Sequence, residues 1–408
     1  GWVYRNRQNQ EIGGTRVNKL YQRLIQQVEE DRETLIQVND QIYQNPELGN
    51  QEFFASELLT QHLREAGFFV EMPYRDLKTG FRATLDTGRE GPSIAVMGEY
   101  DALPDIGHGC GHNMIGCIAL GAARALAKES QHLRGKIIML GTPAEETNGG
   151  KVVYAATGVF DDIDAAMIVH PGSKNALGST SLAIDALEFV FHGRTCHASG
   201  NPEDGINALD GAILTFNNIN ALRQHVTSDV RIHGVITEGG KAPNVTPDLA
   251  VARFYVRAKK RTYLNEVVEK VKNCARAAAL ATGCTVDISN FEFSNDNMKP
   301  NVEMTRVWEA HLKELGVTEF KPLDLQAAGG STDCGNVSQK VPAIHPSICI
   351  TNGQEVSGHS RDFASATVTN AGHEALLLAA KGVAMTVADL LMNEDLLHRV
   401  KEEFSKNN

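Results

Sequence analysis

No stretch of this sequence reaches the roughly 18 consecutive apolar residues that a membrane-spanning helix requires, so no membrane span and no membrane partner are expected. Residues 1–14 are polar and lack the apolar centre of an export signal, although the chain starts with Gly1 and not Met, which leaves a processed start open. Paired cysteine spacings are missing as well. The seven cysteines, at 110, 117, 196, 274, 284, 334 and 349, are odd in number and scattered, which argues against a disulfide framework and for a reducing, cytoplasmic setting. Nor is there a basic surplus: 39 Lys and Arg against 50 Asp and Glu leave a net charge of -11, whereas a nucleic-acid binder needs a basic footprint. That balance says little about substrate charge, because a basic pocket can sit on an acidic protein. No internal repeat or low-complexity linker interrupts the chain. What is present is an ordinary globular composition, 42% hydrophobic and 22% charged, over 408 residues, more than one core usually fills; two domains are expected.

Apolar spacing orders those domains. Residues 17–44 carry Leu20, Leu24, Ile25, Val28, Leu35, Val38 and Ile42 at helical intervals and stop at Asn45-Pro46. A second amphipathic helix over 55–66 ends at Gly67. Short apolar runs at 69–72, 81–85, 94–97, 137–140 and 166–169 then alternate with helical patterns at 114–128 and near 150–157. Continuous apolar strands separated by helices predict a mostly parallel α/β sheet. Near Leu182 the style changes to strand 187–192, helix 205–222, strands 231–236 and 250–256, helix 263–281 and strand 285–293. That β, α, β, β, α, β order predicts a ferredoxin-like α+β insert. After Pro300 the α/β style returns, with helices at 302–315 and 366–392 and strand-like residues at 343–350. The expectation is a discontinuous α/β domain of residues 1–184 and 295–408, with residues 185–294 inserted as a lid.

Three of the strand ends carry metal-binding residue types. The run 94–97 leads to His108-Gly109-Cys110-Gly111-His112-Asn113, two imidazoles and a thiol on a loop whose glycines allow tight folding. The run 137–140 leads to Thr142-Pro143-Ala144-Glu145-Glu146, and the run 166–169 to His170-Pro171-Gly172. Open α/β sheets bind ligands outside the carboxyl ends of their strands, so the shared address suggests one site. Adjacent carboxylates allow a division of labour, one on the metal and one left to carry a proton from attacking water. His359, on a glycine loop before a helix, is a fifth ligand candidate; His345, beside Pro346, competes with it but reads better as a core or supporting histidine.

His108-Gly109-Cys110-Gly111-His112, Pro143-Ala144-Glu145-Glu146, His170-Pro171-Gly172 and His359, in this order, resemble metallopeptidase family twenty, the aminoacylase and amidohydrolase clan. Gly98-Glu99-Tyr100-Asp101-Ala102-Leu103-Pro104 and Val341-Pro342-Ala343-Ile344-His345-Pro346 look most like its β-alanyl-lysine dipeptidase and p-aminobenzoyl-glutamate hydrolase branch. The resemblance implies a two-metal site in which Cys110 bridges and His112, Glu146, His170 and His359 complete the ligands, with Glu145 as general acid/base. It implies that His197, in Thr195-Cys196-His197-Ala198-Ser199 of the insert, helps to stabilise the oxyanion, and that Asn244 and Arg257 contact substrate. It further implies a homodimer through the lid. One departure is Asn113, where amidohydrolase relatives commonly have Asp; an Asp there could orient a neighbouring histidine, and Asn can still accept a hydrogen bond without the charge.

The reading is a metal-dependent amidohydrolase that cleaves small N-acyl amino acids or dipeptide-like amides, with two divalent ions drawn from zinc, manganese or cobalt. The rivals are hydrolytic deamination of a small aromatic or other nonpeptide compound at the same site, and a metal-binding or partner-binding protein that has lost catalysis.

Overall fold

The computed structural model describes residues 19–327 and 329–407, so the reading of residues 1–14 and the first two positions of helix 17–44 lie outside the described residues. The chain divides into two compact units. The first comprises the chain up to Thr180, Lys299–Gln326 and the chain from Asn336; the second comprises Ser181–Met298 and Ala327–Gly335. Set against the expected insert of 185–294, the second unit is a few residues wider at each end and also takes in the distant segment Ala327–Gly335.

The first unit is a mixed α/β fold built on a six-stranded sheet. Its strands are β1 (Phe69–Glu71), β2 (Phe81–Asp86), β3 (Ser93–Gly98), β4 (Lys136–Gly141), β5 (Ala165–Met167) and β11 (Ala343–Ile344), in the order β1-β2-β4-β3-β5-β11. Strands β4, β3, β5 and β11 run parallel, while β2 and β1 add an antiparallel edge. β3 and β4 are buried nearly from end to end, as continuous apolar central strands must be. Against this sheet lies α4 (His112–Lys128), buried on almost every side, and packed on it are α2 (Arg32–Gln44), α3 (Phe53–Glu65) and α11 (Asn370–Met392). By length and composition alone α11 could cross a membrane, although Lys381 interrupts its apolar run. In its apolar window 78% is buried within the fold, so it is a core helix.

Three further expectations shift. The single helix read over 17–44 is two, α1 (19–30) and α2, divided at Asp31, whose carboxylate accepts from Arg124 of α4 at 2.7 Å and from Lys128 at 3.4 Å. The helix read from 366 is α10 (Arg361–Ala366) followed by α11, because the Thr369 side chain accepts the Gly372 N–H and caps a new start. A C-terminal amphipathic helix, α12 (Glu394–Lys406), which buries Leu396 and Val400, escaped the sequence reading.

The second unit holds β7 (Ala183–His192), α6 (Ala208–Leu222), β8 (Arg231–Glu238), β9 (Leu249–Ala258), α7 (Arg261–Thr282) and β10 (Thr285–Asn290). Its sheet is antiparallel throughout, in the order β10-β7-β9-β8, and α6 and α7 pack on each other and on β7 and β9. Leu264, Val267, Val268, Val271 and Ala275 of α7 recur at helical spacing and close over Phe189, Phe191 and Phe254. This is the split βαβ arrangement expected from the element order.

Candidate metal centre

The site begins where β3 ends. A Cβ on Gly98 would lie 3.0 Å from the Gly116 Cα, and one on Gly116 would lie 2.9 Å from the Glu99 carbonyl oxygen. Only glycine fits at either place, so the first turn of α4 rests directly on the strand end. Gly111, with φ of 71°, turns the chain into α4, and a Cβ there would meet Pro171 at 2.4 Å, next to His170. The cysteine loop is therefore packed directly against the Pro171 side chain beside His170.

His112 is the centre of the arrangement. It is fully buried, and its Nδ1 lies 2.8 Å from Asp101 Oδ1. Asp101 Oδ2 in turn accepts the Glu146 N–H at 3.0 Å, so one carboxylate orients the imidazole and ties down the β4 loop. With Nδ1–H given to Asp101, Nε2 presents a lone pair. It faces Glu99 Oε2 at 3.2 Å, Glu146 Oε1 at 3.4 Å and Glu145 Oε2 at 3.8 Å, yet both His112 Nε2 and Glu99 Oε2 lack a hydrogen-bond partner. Burial alone would lower the His112 pKa, but Glu99 and Asp101 outweigh it and raise it well above the ordinary range: the pocket calls for a positive charge.

Among the described residues the ligand-type atoms form overlapping groups whose members lie within 4.8 Å of one another, including Glu99, His112 and His170; Cys110, Glu146 and His359; and His112, Glu145 and Glu146. All five residues expected as ligands are thus gathered at one end of the first unit. His170 differs locally from expectation. It lies on a short strand, β6 (His170–Gly172), paired in parallel with β12 (Ser347–Cys349), and not on a loop. Pro346 lacks the N–H that would join β11 to β12, so the ladder breaks there and resumes. His170 Nδ1 donates to the Pro171 carbonyl at 2.6 Å, which leaves Nε2 as its ligand atom. His345 stands behind it, ring centroids 5.8 Å apart, held down at about 3 by burial and by the charge of His170. His359 is mostly exposed and has φ of 57°; its N–H donates to the Gly109 carbonyl at 2.9 Å, which fastens its loop to the cysteine loop. Burial pushes the Cys110 thiol far up, and Glu146, Glu145 and Glu99 push it further, so a thiolate here needs a cation beside it. A buried lone pair facing carboxylates, with thiol and imidazoles adjacent, fits divalent metal.

The glutamate loop is held from behind. Glu52, fully buried, accepts the Thr79 hydroxyl at 2.7 Å and the Ala144 N–H at 2.9 Å. Ala144 has φ of 60°, and a Cβ on Gly49 would come within 2.5 Å of Thr147 Oγ1 and 3.0 Å of Ala144 Cα. Glu99, Asp101 and Glu52 were absent from the expected site residues. The available signal was the pair Glu99 and Asp101, two apart just beyond a strand, which point to one side. Asn113 departs from expectation: Asp101 orients His112, while Asn113 Nδ2 donates to Asn39 and Thr367 at 3.1 and 3.0 Å, joining α4 to α2 and to the turn before α11.

His197, Asn244 and Arg257 belong to the second unit. His197 and Asn244 are exposed on neighbouring segments, linked by the Ala198 N–H donating to the Asn244 carbonyl at 3.0 Å. His197 Nδ1 accepts the Gly200 N–H at 3.0 Å, so Nε2 carries the proton and points a donor outward. Arg257 lies on β9, its guanidinium 5.7 Å from the Tyr255 ring centroid and its Nε buried without a partner.

Amide cleavage needs a polarised carbonyl, an activated water and a group that carries a proton from one to the other; metal-binding groups beside paired glutamates answer all three needs, and the class is a metal-dependent amide hydrolase. The sequence profile of Peptidase family M20/M25/M40 matches residues 95–405. The chain belongs to this family. It is 35% identical to Xaa-Arg dipeptidase of Mus musculus over 94% of its own length and 92% of that protein. It is 29% identical to a p-aminobenzoyl-glutamate hydrolase polypeptide of Escherichia coli K12, over 95% of each chain. Among solved structures, an aminobenzoyl-glutamate utilization protein of Klebsiella pneumoniae superposes with a TM-score of 0.71 at 21% identity, covering 90% of this chain and 98% of that one. A dinuclear metal-binding peptidase of Bacillus subtilis gives 0.67 at 21% identity, covering 89% and 99%.

Proposed function

We propose that this chain hydrolyses the amide bond of small dipeptides or N-acyl amino acids at a centre for two divalent cations, held by Cys110, His112, Glu146, His170 and His359. The observation that carries the reading is the His112 Nε2 lone pair, fully buried and facing Glu99, Glu145 and Glu146 within 3.8 Å. When bound, the cations supply Lewis acidity and lower the pKa of water from about 15.7 towards 7. Glu145 takes the proton of the attacking water at its carboxylate and returns it to the departing amine nitrogen. Asp101 keeps His112 in the tautomer that presents Nε2. His197 Nε2–H and Asn244 are assigned to the oxyanion and Arg257 to a substrate carboxylate.

The relatives named for dipeptide and acyl-glutamate cleavage support this substrate class. An M20 neighbour named for dinuclear metal binding supports two ions, with zinc or manganese the natural candidates for this donor set. The odd, scattered set of seven cysteines supports a reducing, cytoplasmic setting. Strand β8 is a sheet edge with Val235 60% and Ile236 39% exposed, which supports a homodimer formed through the second unit.

The test is hydrolysis by the metal-reconstituted chain of β-alanyl-lysine, dipeptides with carboxyl-terminal arginine, N-acetyl and N-benzoyl amino acids, p-aminobenzoyl-glutamate and indoleacetyl-aspartate. Release of ammonia from an aromatic amine is followed in parallel. Turnover of at least one amide is expected. Silence on all of them, with ammonia released from the amine, would replace the substrate class and keep the site.

A further inference from the structure

Beneath the candidate metal centre lies an ion pair that the proposed chemistry does not use. Lys151, in the first turn of α5 (Gly150–Ala156), is completely buried, and its Nζ donates to Glu99 Oε1 at 2.5 Å. Glu99 is itself only 1% exposed. A lysine at the start of a short helix ordinarily reaches solvent, and removing both charges from water costs several kcal/mol per ion before their attraction offsets it. A pair that served only packing would also turn both carboxylate oxygens inward to donors. Here Oε1 is taken by Lys151, while Oε2 has no hydrogen-bond partner and lies 3.2 Å from His112 Nε2, whose proton-bearing side is given to Asp101. At this distance the two lone pairs repel unless a positive charge, a proton or a metal cation, sits beside both. His170 completes the set, its ligand atom within 4.8 Å of the other two.

We propose that Glu99 is a carboxylate ligand of the cation held by His112 and His170, and that Lys151 is the positioning residue that fixes its orientation. This rests on the metal-dependent reading above and deepens it. Two of the overlapping groups of ligand-type atoms differ in charge. One ion is met by Glu146, Cys110 and His359. The other is met by two neutral imidazoles and by a carboxylate whose second oxygen is occupied by an ammonium, so Glu99 offers one oxygen and cannot chelate. Lys151 touches neither the ion nor the substrate and acts through Glu99.

The test is calorimetric titration of the metal-free full chain with Mn2+, read as the number and affinity of sites, together with the melting temperature of the metal-free protein. The informative variant is the double substitution Glu99→Gln with Lys151→Met, which keeps side-chain volume and removes both charges, an exchange that buried pairs often tolerate. One of two Mn2+ sites should weaken at least tenfold while the other keeps its affinity. Lys151→Met alone should lower the melting temperature of the metal-free protein and weaken the same Mn2+ site by a smaller factor than the double variant, because the Glu99 carboxylate keeps its charge but loses the group that orients it. Two sites of unchanged affinity in a folded double variant overturn the ligand role of Glu99, and unchanged Mn2+ affinity in a folded Lys151→Met variant overturns the positioning role of Lys151. A wild-type chain that takes up no Mn2+ or Zn2+ instead overturns the underlying metal reading, and the two failures are thereby told apart.

Discussion

The first unit keeps its candidate residues other than His359 buried or half-buried and braced, whereas the second leaves His197 and Asn244 exposed. His112 is fixed by Asp101, Glu146 by the same carboxylate, the Glu145 loop by Glu52, and the ligand loops by glycine contacts. His197 and Asn244 stand on an exposed surface with little but backbone to hold them. A site that must gather like charges needs that bracing before the cation arrives, since unpaired buried groups are costly and their positions must be enforced by neighbours. Residues proposed to meet a substrate only transiently need no such shell. Substitutions in the first unit should therefore damage metal binding or proton transfer, and those in the second should damage turnover alone.

The sharpest break in that comparison is Glu145→Gln. Loss of the proton carrier should reduce kcat by about 10²- to 10⁴-fold with metal content unchanged, measured by steady-state kinetics and elemental analysis. If most activity survives, Glu145 is not the proton carrier. Next comes His197→Ala, expected to lower kcat by about 10²- to 10³-fold with Mn2+ affinity intact, in keeping with loss of one oxyanion donor. Weakened metal binding in that variant would erase the division between the units. Asp101→Asn should cost about 10- to 100-fold in metal affinity through the orientation of His112, read by titration. A smaller effect is expected from Gly49→Ala, whose Cβ collides with Thr147 and Ala144: about 1–3 kcal/mol of stability by denaturant unfolding.

The smallest effect concerns acid. Burial would raise the Asp31 pKa, but Arg124 and Lys128 outweigh it and lower it below the usual carboxylate range. Its contribution to stability is therefore present above an unfolded pKa of about 3.9 and is lost as pH falls through the lower folded value. The melting-temperature gap between wild type and Asp31→Asn should be largest near neutrality and close below about pH 4. A gap independent of pH would mean that the charge of Asp31 does not brace α1 and α2 against α4.

Much of this was legible in the residues. Apolar runs at 94–97 and 137–140 became β3 and β4 because central parallel strands bury both faces, and the β, α, β, β, α, β order of the second unit followed from periodicity alone. Cys110, His112, the two glutamates and His170 were readable because their residue types recur just past strand ends. Helix divisions were not readable: the break at Asp31 depends on partners more than ninety residues away, and the new start at Thr369 on a single cap. The apolar character of α11 marks it equally for a membrane or a core, and only its burial under α4 and α8 (Val302–Glu314) decides.

Residue order alone was enough to set the class of fold, the family and the ligand types, because periodicity and residue chemistry are local properties. Only the folded chain reveals that Glu99 and Lys151 form a fully buried pair, that Asp101 and not residue 113 orients His112, and that Glu52 braces the glutamate loop. Each of these joins segments far apart in the chain, or turns on a difference of a few ångströms in packing. Charge and hydrogen-bond energies change steeply over such distances in a dry interior, and no pattern along the sequence records them.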